Sequence, residues 1–366
     1  MKSVIHVITT ISMGGAEKQL LTLASEQAKS GREVKVIFLK GTPELEADFE
    51  ESGVSIYGSI ANRNPVIQVF LLAHNLKNIR DTIVHAHLPR AELICSLVLS
   101  KRNNLIVSRH NSEPFFPGAP SVISRFLSNY VVSKSKYVIA ISEAVKTFLV
   151  DKKEVRNLKK IEVVYYGFSL TKDLDTSFVE NIKYKEVRGK QLVIGTVSRL
   201  VPQKDLKTLI KGFSIFNDKF PGAYLVIVGE GNLKSELIDY SRNLGVENKV
   251  IWFGRTSQVE LVIREFDIFA LTSVYEGFGL VLLEAMASGV PIVAAKNSAI
   301  PEVLGSDYEG LFETGNAEEL AKLIEQSLNS EQNQRMKNQM ANRINTFLPG
   351  IMRTKIDGLY SLMEKK

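Results

Sequence analysis

Short apolar segments, rich in Val and Ile, alternate along the chain with longer amphipathic segments. Each apolar segment is nearly continuous, which is typical of strands buried on both faces of a parallel sheet. The pattern predicts strands over Val4–Ile11, Val34–Leu39, Val54–Ile60, Ile83–His87, Leu105–His110, Tyr137–Ile141, Ile161–Tyr166, Leu192–Ser198, Tyr224–Gly229, Val250–Gly254, Ile268–Thr272 and Pro291–Ala295.

The segments between these strands carry apolar residues at helical spacing. Helices are predicted over Ala16–Lys29, Leu206–Phe220, Leu233–Leu244 and Glu318–Leu328, and a last one over Ile351–Glu364. Strands and helices that alternate in this way indicate doubly wound α/β sheets.

The alternation is interrupted once, at residues 169–190, where the sequence becomes polar and charged. We therefore predict two Rossmann-like domains, residues 1–168 and 191–348, joined by a linker. Such domains would face each other across a cleft, because ligands of open parallel sheets bind beyond the carboxyl ends of the strands.

Composition narrows the class of protein. The 366 residues are 45% hydrophobic and 23% charged, as in ordinary globular proteins. The one cysteine, Cys95, excludes a disulfide framework. The opening residues do not form a secretory signal, and no run of 18 apolar residues occurs, so we expect a cytoplasmic protein.

The net charge of +6 is concentrated in the first domain. Residues 1–170 hold 22 Lys and Arg against 15 Asp and Glu, and residues 90–160 hold 13 against five. Such asymmetry is compatible with an anionic membrane surface or with a merely basic solvated face. Nucleic acid is the weakest reading, because no stacking aromatics are interleaved with the cations.

Candidate chemistry in the first domain follows two strands. Gly14 and Gly15 stand where the first strand turns into a helix, a place where bare amides favour a phosphate. His110 ends the fifth predicted strand, where it can contact a sugar or a developing charge.

The second domain offers cations and carboxylates. Arg199 and Lys204, five residues apart, suit a diphosphate, and we place Lys204 at the start of a helix. Glu276 follows a buried strand in a glycine-containing loop. Glu284 lies among apolar helical residues, where ribose hydroxyls would satisfy its carboxylate.

These motifs resemble those of the retaining family-4 glycosyltransferases, which have the GT-B fold. The resemblance rests on E-G-F-G-L-x-x-x-E-A from Glu276 to Ala285, followed by G-V-P-I-V-A. The early G-G-A-E, His110, the R-x4-K pair, V-G-x-G at residues 228–231 and the P-E-V at residues 301–303 occur in the family's order.

The resemblance implies a role for each candidate residue. Arg199 and Lys204 would hold the donor diphosphate, Glu276 the transferred sugar and Glu284 the ribose. His110 would lie beside the sugar. The remaining donor contacts, with phosphate, ribose or base, would come from Gly14, Gly15, Arg255, Phe278, Gly279 and Leu280.

The same resemblance implies that the acceptor attacks on the face that the nucleotide leaves, with no cofactor and no metal. A metal-dependent enzyme would want an Asp-x-Asp motif. Asp173-Leu174-Asp175 has that pattern but falls in the polar linker, so we interpret it as solvated charge. The resemblance also implies that the last helix, residues 351–364, crosses back to the first domain.

Two segments depart from the family pattern. The first domain ends in Tyr166-Gly167-Phe168-Ser169 rather than N-G-V-D, so the resemblance implies no hinge or acceptor contact there. Residues 297–300 lack the glycine pair that often precedes the P-E-V motif in the family, so the resemblance implies no phosphate role for that loop.

The expected reaction moves a sugar from a UDP- or GDP-sugar to a glycan or lipid-linked acceptor. Phe115 and Phe116 lie beside several cations. They either pack into the core or are exposed, and if exposed they suit a lipid diphosphate or the inner face of the plasma membrane. Two alternatives stay open: a nucleotide-sugar epimerase of the same architecture, and a catalytically silent nucleotide-sugar-binding subunit.

Overall fold

The structure is a computed structural model that describes residues 3–76, 82–99, 104–169, 190 and 192–364. The chain forms two compact units. Unit 1 comprises Met1–Ser169 together with Phe347–Lys366, and unit 2 comprises Leu170–Thr346. The Asp173-Leu174-Asp175 segment and nearly all of the predicted linker lie outside the described residues.

Unit 1 contains a parallel sheet of seven strands in the order β3-β2-β1-β4-β5-β6-β7. All five residues of β1, β4 and β5 are buried, as the continuous apolar pattern predicts. The strands are β1 Val4–Ile8, β2 Val34–Phe38, β3 Ser55–Tyr57, β4 Ile83–His87, β5 Leu105–Arg109, β6 Tyr137–Ala140 and β7 Ile161–Val163.

Helices cover the sheet of unit 1. Its helices are α1 Gly15–Lys29, α2 Glu46–Glu51, α3 Pro65–Asn75, α4 Pro89–Val98, α5 Ser121–Lys134 and α6 Glu143–Asp151, and the C-terminal helix is Pro349–Glu364. α1 packs against the C-terminal helix, whereas α4 packs against both α3 and α5. Tyr360 of the C-terminal helix is fully buried in the core with Leu20 and Phe49.

Unit 2 contains a parallel sheet of six strands in the order β10-β9-β8-β11-β12-β13. The strands are β8 Leu192–Val197, β9 Ala223–Val228, β10 Val250–Gly254, β11 Ile268–Leu271, β12 Ile292–Ala295 and β13 Leu311–Phe312. The helices are α7 Leu206–Lys219, α8 Lys234–Asn243, α9 Val259–Ile263, α10 Leu280–Ala287, α11 Ile300–Leu304, α12 Ala317–Ser327 and α13 Ser330–Ile344.

The predicted fold class is confirmed, and every predicted strand and helix is present with ends shifted by a few residues. β13 was not predicted, because two residues are too short to form a pattern. None of the described helices is both long and apolar enough to cross a membrane.

Of the two alternatives for Phe115, the structure shows core packing. Phe115 is 1% exposed, and its ring lies 4.3 Å beneath the Arg109 guanidinium. Arg109 pairs with Glu92 at 2.7 Å, and the Phe115 N–H donates to Glu154 at 3.0 Å. These buried polar contacts draw the loop inward, whereas Phe116 remains half-buried.

Candidate active site

A buried cation–carboxylate pair lies in unit 2, beyond the carboxyl ends of β8 and β11. The Lys204 ammonium is 2.5 Å from Oε1 of Glu276, and their side chains are 13% and 8% exposed. The Ser273 hydroxyl donates to the same oxygen at 2.6 Å. A carboxylate at this depth requires such partners, so the pair fixes the position of both charges.

Three hydrogen bonds tie the two loops that carry this pair. The Thr272 hydroxyl donates to the Lys204 carbonyl at 2.9 Å, and the Gln203 amide donates to the Tyr275 carbonyl at 2.9 Å. The Val274 N–H donates to the Gln203 carbonyl at 2.8 Å. The loops therefore hold the pair in one orientation.

Two glycines after β9 pack against the backbone on either side of Arg199, at Ser198 and Leu200. A Cβ atom on Gly229, which has a φ of +134°, would fall 1.9 Å from the Ser198 carbonyl oxygen, and one on Gly231 would fall 2.3 Å from that of Leu200. Only glycine allows this approach. Arg199 is exposed, with a guanidinium nitrogen 3.5 Å from Oε1 of Gln203.

The predicted placement of Lys204 at a helix start is corrected by the structure. Lys204 ends a separate 3-10 turn, Pro202–Lys204, and Asp205 follows it in the left-handed region with a φ of +43°. The Asp205 carboxylate then caps α7 by accepting from the Thr208 N–H at 3.4 Å. An argument from the dipole of α7 therefore does not apply to Lys204.

The other predicted donor residues of unit 2 lie around α10 and after β10. Gly279, with a φ of +88°, precedes the first residue of the helix, Leu280. Phe278 is buried, Glu284 is half-buried, and Arg255 is exposed just after β10. The structure thus joins Lys204, Glu276 and, through Gln203, Arg199, while Arg255 makes no described contact with them.

In unit 1 the glycine pair lies against the carboxylate of Glu17, a residue of the G-G-A-E motif to which the resemblance assigned no role. A Cβ atom on Gly14 would lie 2.2 Å from Oε2 of Glu17, which is 7% exposed. The Thr10 hydroxyl donates to Glu17 at 2.5 Å. A side chain at Gly14 would therefore displace the Glu17 carboxylate in the first turn of α1, and the exposed residue of the pair is Gly15.

His110, which is half-buried, belongs to a hydrogen-bonded series of imidazoles that the sequence patterns did not predict, and the other two rings, His87 and His6, are buried. His110 Nδ1 is 2.5 Å from the Tyr166 hydroxyl, and its Nε2 is 3.2 Å from Nδ1 of His87. His87 Nε2 is 3.0 Å from Nδ1 of His6, and His6 Nε2 is 2.9 Å from Oε1 of Gln27.

The far end of this chain determines the tautomer of every ring. Gln27 donates its amide N–H to the Asp357 carboxylate, so its oxygen faces His6 and can only accept. His6 must therefore carry its proton on Nε2. Nδ1 of His6 therefore accepts from Nε2–H of His87, and Nδ1 of His87 accepts from Nε2–H of His110. Nδ1 of His110 then accepts from the Tyr166 hydroxyl.

The imidazoles are neutral because they are removed from water. Burial lowers the pKa of His6 to about 4. Burial, and then the charge of Arg109, lowers the pKa of His110 to about 3. The pKa values of His85 and His87 are also held well below the ordinary range, chiefly by burial.

His6, His85 and His87 lie close enough together to form a potential metal-binding triad, since their nearest ring nitrogens are within 4.8 Å of one another. Their nitrogens are already used in hydrogen bonds. His85, for example, contacts the Tyr360 and Ser108 hydroxyls at 2.7 Å each. The hydrogen-bond chain accounts for these residues without a bound ion.

The tautomer assignment gives a direct prediction. At pH 7, long-range ¹H–¹⁵N spectra of the labelled protein are expected to show His6, His87 and His110 as neutral rings protonated on Nε2. The Tyr166→Phe variant should shift the Nδ1 resonance of His110 and leave that of His6 nearly unchanged, because the chain is fixed at the Gln27 end. Nδ1–H tautomers at His6 or His110 would contradict the assignment.

Comparison with known proteins follows the two units. Residues 13–172 match Glycosyltransferase Family 4, and residues 178–344 match Glycosyl transferases group 1. The chain belongs to the group 1, family 4 glycosyltransferases.

Named relatives span different shares of this glycosyltransferase. An uncharacterized glycosyltransferase of Haemophilus influenzae is 27% identical over 90% of the chain and 91% of its own length. An N-acetylgalactosaminyltransferase of Campylobacter jejuni, named for a diacetylbacillosaminyl-diphospho-undecaprenol substrate, is 29% identical over 52% of the chain and 50% of its own length. The chain spans only about half the length of some relatives, including 48% of a Methanocaldococcus jannaschii glycosyltransferase that is 30% identical over 51% of the chain.

A solved structure supports the same fold for this glycosyltransferase. Anabaena HepE, crystallised in complex with UDP-glucose, has a TM-score of 0.81 at 21% identity, with 99% of this chain and 100% of HepE covered. At this identity the likeness shows the fold alone.

In this glycosyltransferase the hydrogen-bonded series runs from His110 through His87 and His6 to Gln27. The sequence patterns singled out His110 but not the other three. A signal was present, because His85 and His87 alternate on a buried strand that ends beside His110. Recognising the chain also required knowing that β1, which carries His6, is the neighbour of β4.

Proposed function

We propose that this glycosyltransferase transfers a sugar from a nucleoside diphosphate sugar to a hydroxyl of a glycan or lipid-linked acceptor, with retention of anomeric configuration and without a metal ion. The observation that carries the proposal is the buried Lys204–Glu276 pair with Arg199 beside it. Acceptor chemistry of this kind is supported by the name of the Campylobacter relative.

The cations of unit 2 would stabilise the departing diphosphate. The Glu276 contact uses one of the three N–H groups of Lys204, so the ammonium can bind a phosphate oxygen without losing its partner. Arg199 is exposed and can form a second, forked contact. Two preorganised cations would offset the charge that develops on the leaving group, so no metal ion is required for that task.

The carboxylates of unit 2 would accept hydrogen bonds from hydroxyl groups of the donor. Glu276 is oriented by Lys204 and Ser273, and its carboxylate would accept from hydroxyls of the transferred sugar. Glu284, half-buried on α10, would accept from ribose hydroxyls. In unit 1 we retain Gly15 as a phosphate contact and His110 as a sugar contact. Both ring nitrogens of His110 are engaged, so the sugar hydroxyl would have to replace the Tyr166 hydroxyl as the donor to Nδ1.

A UDP-sugar is the donor we favour, because the HepE structure contains UDP-glucose. Thermal melting of the protein with UDP, GDP, ADP and CMP tests this choice. A nucleotide at about 100 times its dissociation constant should add about 2.7 kcal/mol to the free energy of unfolding. We expect UDP to raise the melting temperature equally with and without EDTA.

The Arg199→Ala variant provides the control, because an exposed side chain can be removed without disturbing the fold. The UDP-induced shift should disappear in this variant while the melting temperature of the free protein stays the same. A shift that EDTA abolishes would exclude the metal-free mechanism. No shift with any nucleotide would argue against the donor site itself.

A further inference from the structure

Two helices of unit 1 begin with the same arrangement of exposed apolar side chains. Phe70 in α3 is 71% exposed and Phe126 in α5 is 69% exposed. We call the following exposed residues the apolar face: Val66, Ile67 and Phe70 of α3, and Val122, Ile123 and Phe126 of α5. In both helices the residues are spaced i, i+1, i+4, so they lie on one side of the first two turns.

The two halves of the apolar face lie at one edge of the unit 1 sheet. α3 follows β3 and α5 follows β5, so both helices start at the carboxyl edge of the parallel strands. α4 packs against both of them and belongs to the same layer. His110, at the end of β5, lies at this same edge.

Three arginines lie next to the apolar face in sequence or contact one of its helices. Arg63 precedes α3, Arg90 is the second residue of α4, and Arg125 lies between Ile123 and Phe126. Neither α3 nor α5 has an acidic residue in its first turn, and the sequence contains none over residues 52–80 and 114–142. Arg90 also donates to Oε1 of Gln68 at 3.0 Å. Cations with no acidic residues nearby in sequence favour an anionic partner.

We infer that the apolar face docks on an anionic lipid bilayer, with its phenylalanines in the acyl–headgroup boundary and its arginines against lipid phosphates. Apolar side chains insert at the acyl–headgroup boundary of a bilayer, and anionic headgroups attract cations at the same depth. A second copy of the chain fits less well, because self-pairing of this face would bring arginine against arginine. The inference rests on the proposed lipid-linked acceptor, for which the bilayer would be the source.

Vesicle cosedimentation tests this inference on the full chain. Wild type is expected to sediment with phosphatidylglycerol–phosphatidylcholine vesicles and to remain in solution with phosphatidylcholine alone. The double variant Phe70→Ser, Phe126→Ser should bind more weakly by on the order of tenfold for each phenylalanine removed. Arg63→Ser with Arg125→Ser should weaken binding most at low salt, because surface charges are screened.

A matched control removes exposed leucines elsewhere in unit 1. Leu158 precedes β7 and so lies at the opposite edge of the sheet, and Leu362 is on the C-terminal helix; they are 58% and 51% exposed. Leu158→Ser with Leu362→Ser should bind vesicles like wild type. Equal loss of binding in this control, or no binding by wild type, would overturn the inference.

Oligomeric state and nucleotide binding are measured on the same double phenylalanine variant. If wild type is a dimer by sedimentation velocity and this variant is a monomer, the apolar face is a subunit interface and the inference is wrong. UDP-induced stabilisation should be unchanged in the variant. Vesicle binding by a protein that no nucleotide stabilises would count against the proposed function alone. Stabilisation by a nucleotide without vesicle binding would count against docking alone.

Discussion

Lys204→Ala is expected to lower the rate of nucleoside diphosphate release from the donor by about 10²–10³-fold, as loss of one preorganised electrostatic contact does. It should also destabilise the fold, because Glu276 would remain 6% exposed without its cation. Unpairing a buried ion pair costs about 3–5 kcal/mol. Steady-state kinetics with the donor that stabilises the protein, and urea unfolding, measure the two effects.

A neighbouring ion pair provides the matched control. Lys207 also lies 2.5 Å from a carboxylate, that of Glu236, but their side chains are 50% and 52% exposed. Lys207→Ala should change neither the rate nor the melting temperature, because water screens an exposed pair.

A double variant separates the structural role of Lys204 from its role in the reaction. Lys204→Ala with Glu276→Gln removes both charges and should recover much of the lost stability, because no buried charge is left unpaired. Activity should stay low. Recovery of activity together with stability would contradict both the proposed diphosphate contact of Lys204 and the proposed sugar contact of Glu276.

The free energy of unfolding is expected to fall steeply as the pH drops below 6.5. The imidazoles of His6, His85, His87 and His110 have folded-state pKa values far below that value, chiefly because of burial. The free energy of unfolding is not reduced by these groups above pH 6.5. Below pH 6.5 it falls, because the imidazoles bind protons in the unfolded chain but stay neutral in the folded one. Four such groups give a slope of at most ~5 kcal/mol per pH unit.

Urea unfolding at several pH values between 7.5 and 5 measures this slope. His87→Gln should reduce the slope by about 1.4 kcal/mol per pH unit, because one of the four imidazoles that bind a proton on unfolding is removed. His74→Gln is the control, because His74 is exposed on α3 and lies outside the chain of imidazoles. A slope that His87→Gln leaves unchanged would show that the loss of stability in acid comes from other groups.

The sequence singled out Lys204 and Glu276 by residue type but did not predict their contact with each other. Lys204 and Glu276 were both expected to meet the donor, each by itself. The structure shows them bound to each other at 2.5 Å, because tied loops after β8 and β11 bring together residues that are 72 positions apart. Local patterns contain no information about such a distance.

Surface predictions depended in the same way on tertiary packing. Phe115 is adjacent to a loop rich in proline and glycine, which favours exposure, yet Arg109 and Glu154 hold it inside. The residues that are exposed, such as Phe70 and Phe126, lie in helices whose apolar residues are not confined to one face. Which of those residues reach solvent depends on which neighbours α3 and α5 have.

The sequence by itself determined the alternating strands and helices, the two-domain α/β class and the family, since each rests on local periodicity or on short motifs. The tertiary structure decided the imidazole chain, because it requires β1 beside β4 and Gln27 beside Asp357, 330 positions apart. It also decided which charges are paired and buried. Burial and hydrogen bonding set the pKa and the tautomer of a side chain, and both depend on groups far away along the chain.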